Sequence, residues 1–186
     1  MRYEDIKILE LKEVLLDFDV RKECIEKEYI YKIEADLGEL IFEPLQQYKL
    51  VYSIAAKLDL EKIRKAMNIL MGTHNFYNFT VRNSKMKHEY FRYIRKINDI
   101  YLHEELSEDK NIQKIVIGFK GPGFLTYQIR YMVNALKEIG EGNYSIENLA
   151  EALNNLEKDP DIGRKPAPAK ALFLKNVVFR ENERNK

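Results

Sequence analysis

The chain has 186 residues, 45% hydrophobic and 33% charged, a balance that predicts a single folded domain over residues 1–186 and excludes a disordered tail. Its net charge of +1 means that any affinity for nucleic acid must come from a local patch. A lone cysteine, Cys24, excludes an internal disulfide, no Cys/His cluster has zinc-ligand spacing, and no apolar run approaches the roughly 18 residues of a membrane span; a reducing cytoplasm is the expected home.

In chain order, residues 6–16 are apolar-rich without helical spacing and predict a strand. Residues 27–34 alternate, with Tyr29, Tyr31 and Ile33 on one face and Ile30, Lys32 and Glu34 on the other, and predict a second. Asp59 is placed to accept from the free N–H groups of a first helical turn. Leu60, Ile63, Met67 and Leu70 then form one stripe, and Gly72 supplies the stop. Residues 75–81 and 93–101 predict strands separated by a polar, basic loop. Ile115, Ile117 and Phe119 alternate in a further strand that ends at Gly121-Pro122-Gly123, a turn both residue types favour. A second helix carries Leu125, Ile129, Met132, Val133 and Leu136 toward Gly140. Ser145 caps a third, with Ile146, Leu149, Leu153 and Leu156, closed by Asp159-Pro160. A proline-containing loop over 161–169 leads to a last strand over 172–179. The sum is an α+β fold: a mixed, mainly antiparallel sheet with helices packed on one face.

Four strings, each present once, carry a likeness when taken in their order along the chain. They are Phe18-Asp19-Val20-Arg21 followed by Tyr29; Gly72-Thr73-His74-Asn75-Phe76 with Asn78-Phe79; Gly123-Phe124-Leu125-Thr126-Tyr127-Gln128-Ile129-Arg130 running on to Ile139-Gly140-Glu141-Gly142; and Ala167-Pro168-Ala169-Lys170-Ala171-Leu172 before Val177-Val178-Phe179. Together they resemble the C-terminal half of the tRNA pseudouridine synthase A family over nearly the whole chain. The resemblance implies half of the pseudouridine synthase catalytic fold and isomerisation of uridine to pseudouridine in tRNA, a reaction needing no cofactor or metal. Ala171 and Asn134 stand where the family usually has glycine. The family's nucleophilic aspartate belongs to an N-terminal half, in an Arg-Thr-Asp triplet followed by Gly-Val-His, and that string does not occur in these 186 residues. The expected partners are therefore tRNA, the missing half or a polypeptide supplying it, and a second copy of the chain, since two chains of the family embrace tRNA. The chain alone is expected to be inactive. The competing reading is a catalytically inactive module, derived from the family, that binds RNA or a protein partner.

By resemblance Tyr29 is the active-site tyrosine and Arg130 the arginine that pairs with the aspartate; from the residues alone, Tyr29 reads as an edge-of-core strand residue and Arg130 as a surface cation. Arg21 is expected near the cleft, against phosphate or simply solvated, while Phe124 and Leu172 are expected to wall the pocket or pack the core. His74 is read as ordering a turn through hydrogen bonds rather than as an acid or base. Arg82, Lys85, Lys87, His88, Arg92, Arg95 and Lys96 interleave with Tyr90, Phe91 and Tyr93, a pattern suited to a phosphate backbone with exposed bases, or to a solvated loop.

Overall fold

A computed structural model describes residues 6–36, 50–81, 89–105, 107, 111–156 and 161–180. Among them run β1 (Cys24–Asp36), β2 (Tyr52–Ile54), α1 (Leu60–Leu70), β3 (Gly72–Asn75), β4 (Ile94–Ile97), β5 (Asp99–Glu105), β6 (Ile112–Gly121), α2 (Gln128–Gly140), α3 (Ile146–Asn154) and β7 (Leu172–Phe179). β1 is the spine of the larger sheet. One of its edges pairs antiparallel with β6, which carries β5 on its far side. The other edge is shared by β7, antiparallel, and β2, the single parallel partner. β3 and β4 form a separate antiparallel ribbon. The arrangement is the mixed, mainly antiparallel α+β fold that the sequence predicts.

Residues facing each other across a ladder share a side of the sheet. Tyr31 opposite Ile117, Ile33 opposite Ile115 and Leu102 opposite Ile117 therefore make one apolar face, and all are buried. The helices cover that face with Ile63, Met67 and Leu70 from α1, Met132, Val133 and Leu136 from α2, and Leu149 and Leu153 from α3. Each such side chain contributes roughly 1.5–3 kcal/mol by leaving water. The opposite face is polar. There Tyr101 lies over Gly118, its hydroxyl donating to Glu28 at 2.6 Å, and Lys175 reaches the same carboxylate at 3.0 Å.

The helix ends follow their local chemistry. Asp59 Oδ1 accepts from the Lys62 N–H at 3.1 Å, and Gly72, at φ +97°, ends the turn after α1. Ser145 Oγ accepts from the Asn148 N–H at 3.3 Å while Asn148 Oδ1 accepts from the Ser145 N–H at 3.0 Å, a reciprocal cap. The third helix closes earlier than expected: α3 stops at Asn154, where Asn155 turns to extended backbone with its N–H on the Glu151 carbonyl at 2.8 Å, so Leu156 lies beyond the helix, and Asp159-Pro160 lies outside the described residues.

Three strand expectations are corrected. Residues 6–16 form no strand: Ile8, Leu9, Leu11 and Leu16 are more than four-fifths exposed, and a strand requires a ladder partner that no described residue provides. Over 75–81 only Asn75 is in a strand. Its Oδ1 accepts from the Tyr77 N–H at 3.0 Å, which turns the chain into the 3-10 helix Tyr77–Phe79. The stretch 93–101 is two strands in two sheets. They break at Asn98, whose N–H bonds the Lys120 carbonyl at 2.8 Å.

Candidate active site

Tyr29 stands on β1 two residues before Tyr31, so strand alternation points both rings to the helix-covered face. A register shift in the β1–β7 ladder falls between Glu28 and Tyr29, where β7 carries one extra residue, Lys175, and such bulges re-aim the side chain beside them. The Tyr29 ring meets Phe124 edge-on, centroids 5.5 Å apart at 90°. Phe124 reaches it because β6 ends in Gly121. A Cβ at Gly121 would come within 2.8 Å of the Lys96 carbonyl oxygen and 3.3 Å of Phe124 Cζ. The loop beyond is held at two points. Gln128 Oε1 accepts from the Leu125 N–H at 2.7 Å, and the Thr80 hydroxyl donates to the Thr126 carbonyl at 2.8 Å. Leu172 pairs across β1 with Tyr31 and Leu174 with Tyr29, so both lie on the same face as the two tyrosines.

Arg130 projects from the first turn of α2 and is half-buried. Its Nε donates to the Ala167 carbonyl at 2.6 Å, and the Ala167 N–H returns a bond to the Arg130 carbonyl at 3.0 Å. The guanidinium lies over the Tyr127 ring, 4.5 Å from its centroid. Tyr127 holds that place at φ +62°, a left-handed conformation unusual for a bulky residue. Among the described residues no carboxylate meets Arg130, and the Tyr29 hydroxyl has no hydrogen-bond partner. With Nε engaged, the two Nη atoms are the donor pair available to grip a carboxylate bidentately. The neighbouring Tyr31 is fully buried, and its hydroxyl donates to the Pro168 carbonyl at 2.7 Å. Burial pushes that hydroxyl well above the usual tyrosine range, with Tyr52 adding to the shift and Arg130 opposing it.

A family profile described as "tRNA pseudouridine synthase" matches residues 66–180. The chain belongs to the tRNA pseudouridine synthase family. It is 34% identical over 181 residues to tRNA pseudouridine synthase A of Limosilactobacillus reuteri, a match covering 96% of the chain and 64% of that relative. It is 35% identical over 176 residues to the protein of that name from Clostridium kluyveri, covering 95% and 66%. Against the one from Exiguobacterium sibiricum the figures are 29% over 181 residues, 97% and 66%. The chain thus spans slightly less than two thirds of the length of these synthases. Arg130 and Leu172 fall inside the family match, whereas Tyr29 and Arg21 precede it.

The expected synthase residues fall into two groups. The Tyr29 and Phe124 rings are in contact, Leu172 pairs with Tyr31 on the same side of the sheet, and Arg130 is linked to Tyr31 through the Ala167 and Pro168 carbonyls. Arg21 does not join them: it is exposed in the turn before β1, where its N–H bonds Asp19 Oδ1 at 2.8 Å. From Cys24, where β1 begins, the strand runs roughly 17 Å to Tyr29. Arg92 is exposed, ion-paired to Glu89, with its guanidinium beside the exposed Phe91 ring. Arg82, Lys85, Lys87 and His88 lie outside the described residues. His74 Nε2 donates to the Met71 carbonyl at 2.7 Å, the turn-ordering bond expected of it. Ala171 is fully buried. The sequence gives no site role to Tyr127, Gln128 or Tyr31. Tyr127 was detectable from its i,i+3 spacing to Arg130, and Tyr31 from its two-residue spacing to Tyr29. No feature of the sequence marks Gln128, whose buried Nε2 has no partner among the described residues. No group of three or more potential ligands among the described residues could hold a metal ion, and no described helix is long and apolar enough to cross a membrane.

Proposed function

We propose that this chain forms part of an enzyme that isomerises uridine to pseudouridine in tRNA, supplying the aromatic shelf and the cationic counter-ion while the attacking carboxylate comes from residues outside these 186. The observation that carries this reading is that two polar groups of the matched strings have no partner among the described residues. These are the Tyr29 hydroxyl and the Nη edge of Arg130. The absence of the Arg-Thr-Asp string from the chain and the coverage of 64–66% of the relatives agree with it.

The reaction breaks the bond from ribose C1′ to uracil N1, turns the base and rejoins C1′ to C5, with the C5 proton leaving and N1 gaining one. A base inside folded RNA must first be extruded onto a flat support. The Tyr29 ring, braced by Phe124, is such a support, and stacking of this kind is worth roughly 1–3 kcal/mol per base. In this reading its hydroxyl would take part in relaying the proton that leaves C5. The Nη pair of Arg130 would hold an incoming aspartate ionised, because a guanidinium beside a carboxyl favours the charged form. Arg92, with the exposed Phe91 beside it, is suited to RNA backbone and unstacked bases nearby.

The test combines the chain with a polypeptide bearing the Arg-Thr-Asp segment and follows tritium release from C5-labelled uridine in tRNA. The expected result is no turnover from the chain alone and turnover from the mixture. Arg130→Ala should lower the latter roughly 100- to 1,000-fold. Turnover by the purified chain alone would sink the division of labour. A mixture that binds tRNA but never releases tritium would favour the inactive binding module.

A further inference from the structure

We propose that Tyr31 is a positioning residue for Arg130: through its buried hydroxyl it pins the Pro166-Ala167-Pro168 segment, and that segment sets the plane in which the guanidinium presents its Nη pair. The inference rests on the reading of Arg130 as the counter-ion and adds the device that aims it.

Three hydrogen bonds make the connection. The Tyr31 hydroxyl donates to the Pro168 carbonyl at 2.7 Å, Arg130 Nε to the Ala167 carbonyl at 2.6 Å, and the Ala167 N–H to the Arg130 carbonyl at 3.0 Å. Prolines have no N–H, so Ala167 carries the one donor of the tripeptide, and that donor is engaged by Arg130. A residue before proline is confined to extended backbone, which stiffens Lys165 and Ala167; Pro168 itself sits at φ −54°, ψ 137°. The segment is therefore a short strut. It is tied to α2 at Ala167 and to β1 at Pro168, and it then turns through Ala169–Ala171 to place Leu172 opposite Tyr31 in the ladder. Tyr31 and Ala167 are 0% and 1% exposed, so water cannot replace these bonds without opening the core. Because Tyr29 lies two residues away on the same strand, one rigid element registers both the shelf and the strut. The pushed-up hydroxyl of Tyr31 stays protonated through the working pH range and remains a donor.

Core packing alone would also bury a tyrosine here, so the test must read the arginine itself. Solvent exchange of the Arg130 Nε–H, followed by nuclear magnetic resonance on the chain, should be slow in the parent. Tyr31→Phe should accelerate it about fivefold or more, the scale of one lost hydrogen bond, while the amides of Ile117 and Met132 keep their protection. Pro168→Ala keeps the accepting carbonyl but loosens the strut, and should give a smaller change in the same direction even if Tyr31→Phe does not fold. In the mixed assay, Tyr31→Phe should lower kcat roughly tenfold with KM for tRNA unchanged. Unchanged Nε–H exchange in both variants, or loss of protection throughout the core together with it, overturns the proposal. Should Arg130→Ala abolish turnover while Tyr31→Phe leaves kcat intact, the positioning role alone fails. Should Arg130→Ala leave turnover intact, the counter-ion reading fails instead.

Discussion

Substituting Gly121 by alanine tests the geometry that brings Phe124 to Tyr29. The added Cβ would stand 2.8 Å from the Lys96 carbonyl oxygen, 3.3 Å from Phe124 Cζ and 3.7 Å from Ile97 Cα. The nearest of these is backbone, and it cannot swing aside, because Lys96 is paired with Thr73 in the β3–β4 ribbon and Ile97 is 1% exposed. Forcing a methyl group into such a site costs about 1–3 kcal/mol. For a chain of 186 residues each kcal/mol moves the melting midpoint by about 2–4 °C, so Gly121→Ala should melt roughly 2–12 °C lower. Gly123 is the internal comparison, since no atom lies within 4 Å of its added Cβ and its φ is not in the left-handed range. There alanine should stabilise by about 0.4–1 kcal/mol through the unfolded chain. Melting followed by circular dichroism, with urea midpoints at constant m-value, reads both variants. Equal melts for the two, or a drop confined to Gly123→Ala, would refute the close approach of β6 to β4 and with it the bracing of Tyr29.

Tyr127→Gly removes a left-handed backbone cost of about 1–2 kcal/mol and loses a cation–π contact worth about 0.5–1 kcal/mol. Calorimetry should show equal or higher stability, while tritium release in the mixed assay falls; lower stability with unchanged turnover would count against strain serving the site. The Glu28 carboxyl is held below its ordinary value of 4.5, first by the Tyr101 hydroxyl and then by Lys175, with burial opposing. A folded-state pKa lower than the unfolded one means that the stabilisation is present above the unfolded value and fades as pH falls through the folded one. Urea midpoints measured from about pH 5 down to pH 3 should therefore decline less in Glu28→Gln than in the parent, and identical slopes would exclude the contribution.

What was legible in the sequence was what neighbours along the chain can satisfy. Asp59 and Ser145 cap their helices with residues three positions on, Gly72 ends α1 within one turn, and the alternation through Tyr29, Tyr31 and Ile33 assigns their face without knowing the partner strand. The ordered strings around Arg21, His74, Arg130 and Leu172 were enough to indicate the family, because spacing survives in sequence even where contacts are invisible. Residues 6–16 misled for the complementary reason: extended, apolar composition does not create a ladder partner. Asn98 likewise divides one predicted strand because Lys120, 22 positions away, claims its N–H.

By itself, then, the amino-acid order determined the helix starts at Asp59 and Ser145 and the buried face of β1, and through the family resemblance it offered the candidate pair Tyr29 and Arg130. Only the tertiary structure decided that the Nε of Arg130 is held by Ala167, 37 residues on, that the Tyr31 hydroxyl reaches Pro168 across 137 residues, and that Phe124 meets Tyr29 over a missing Cβ. The physical reason is range. A cap closes within one helical turn, whereas a distant carbonyl becomes a partner only after the whole chain has folded back on itself.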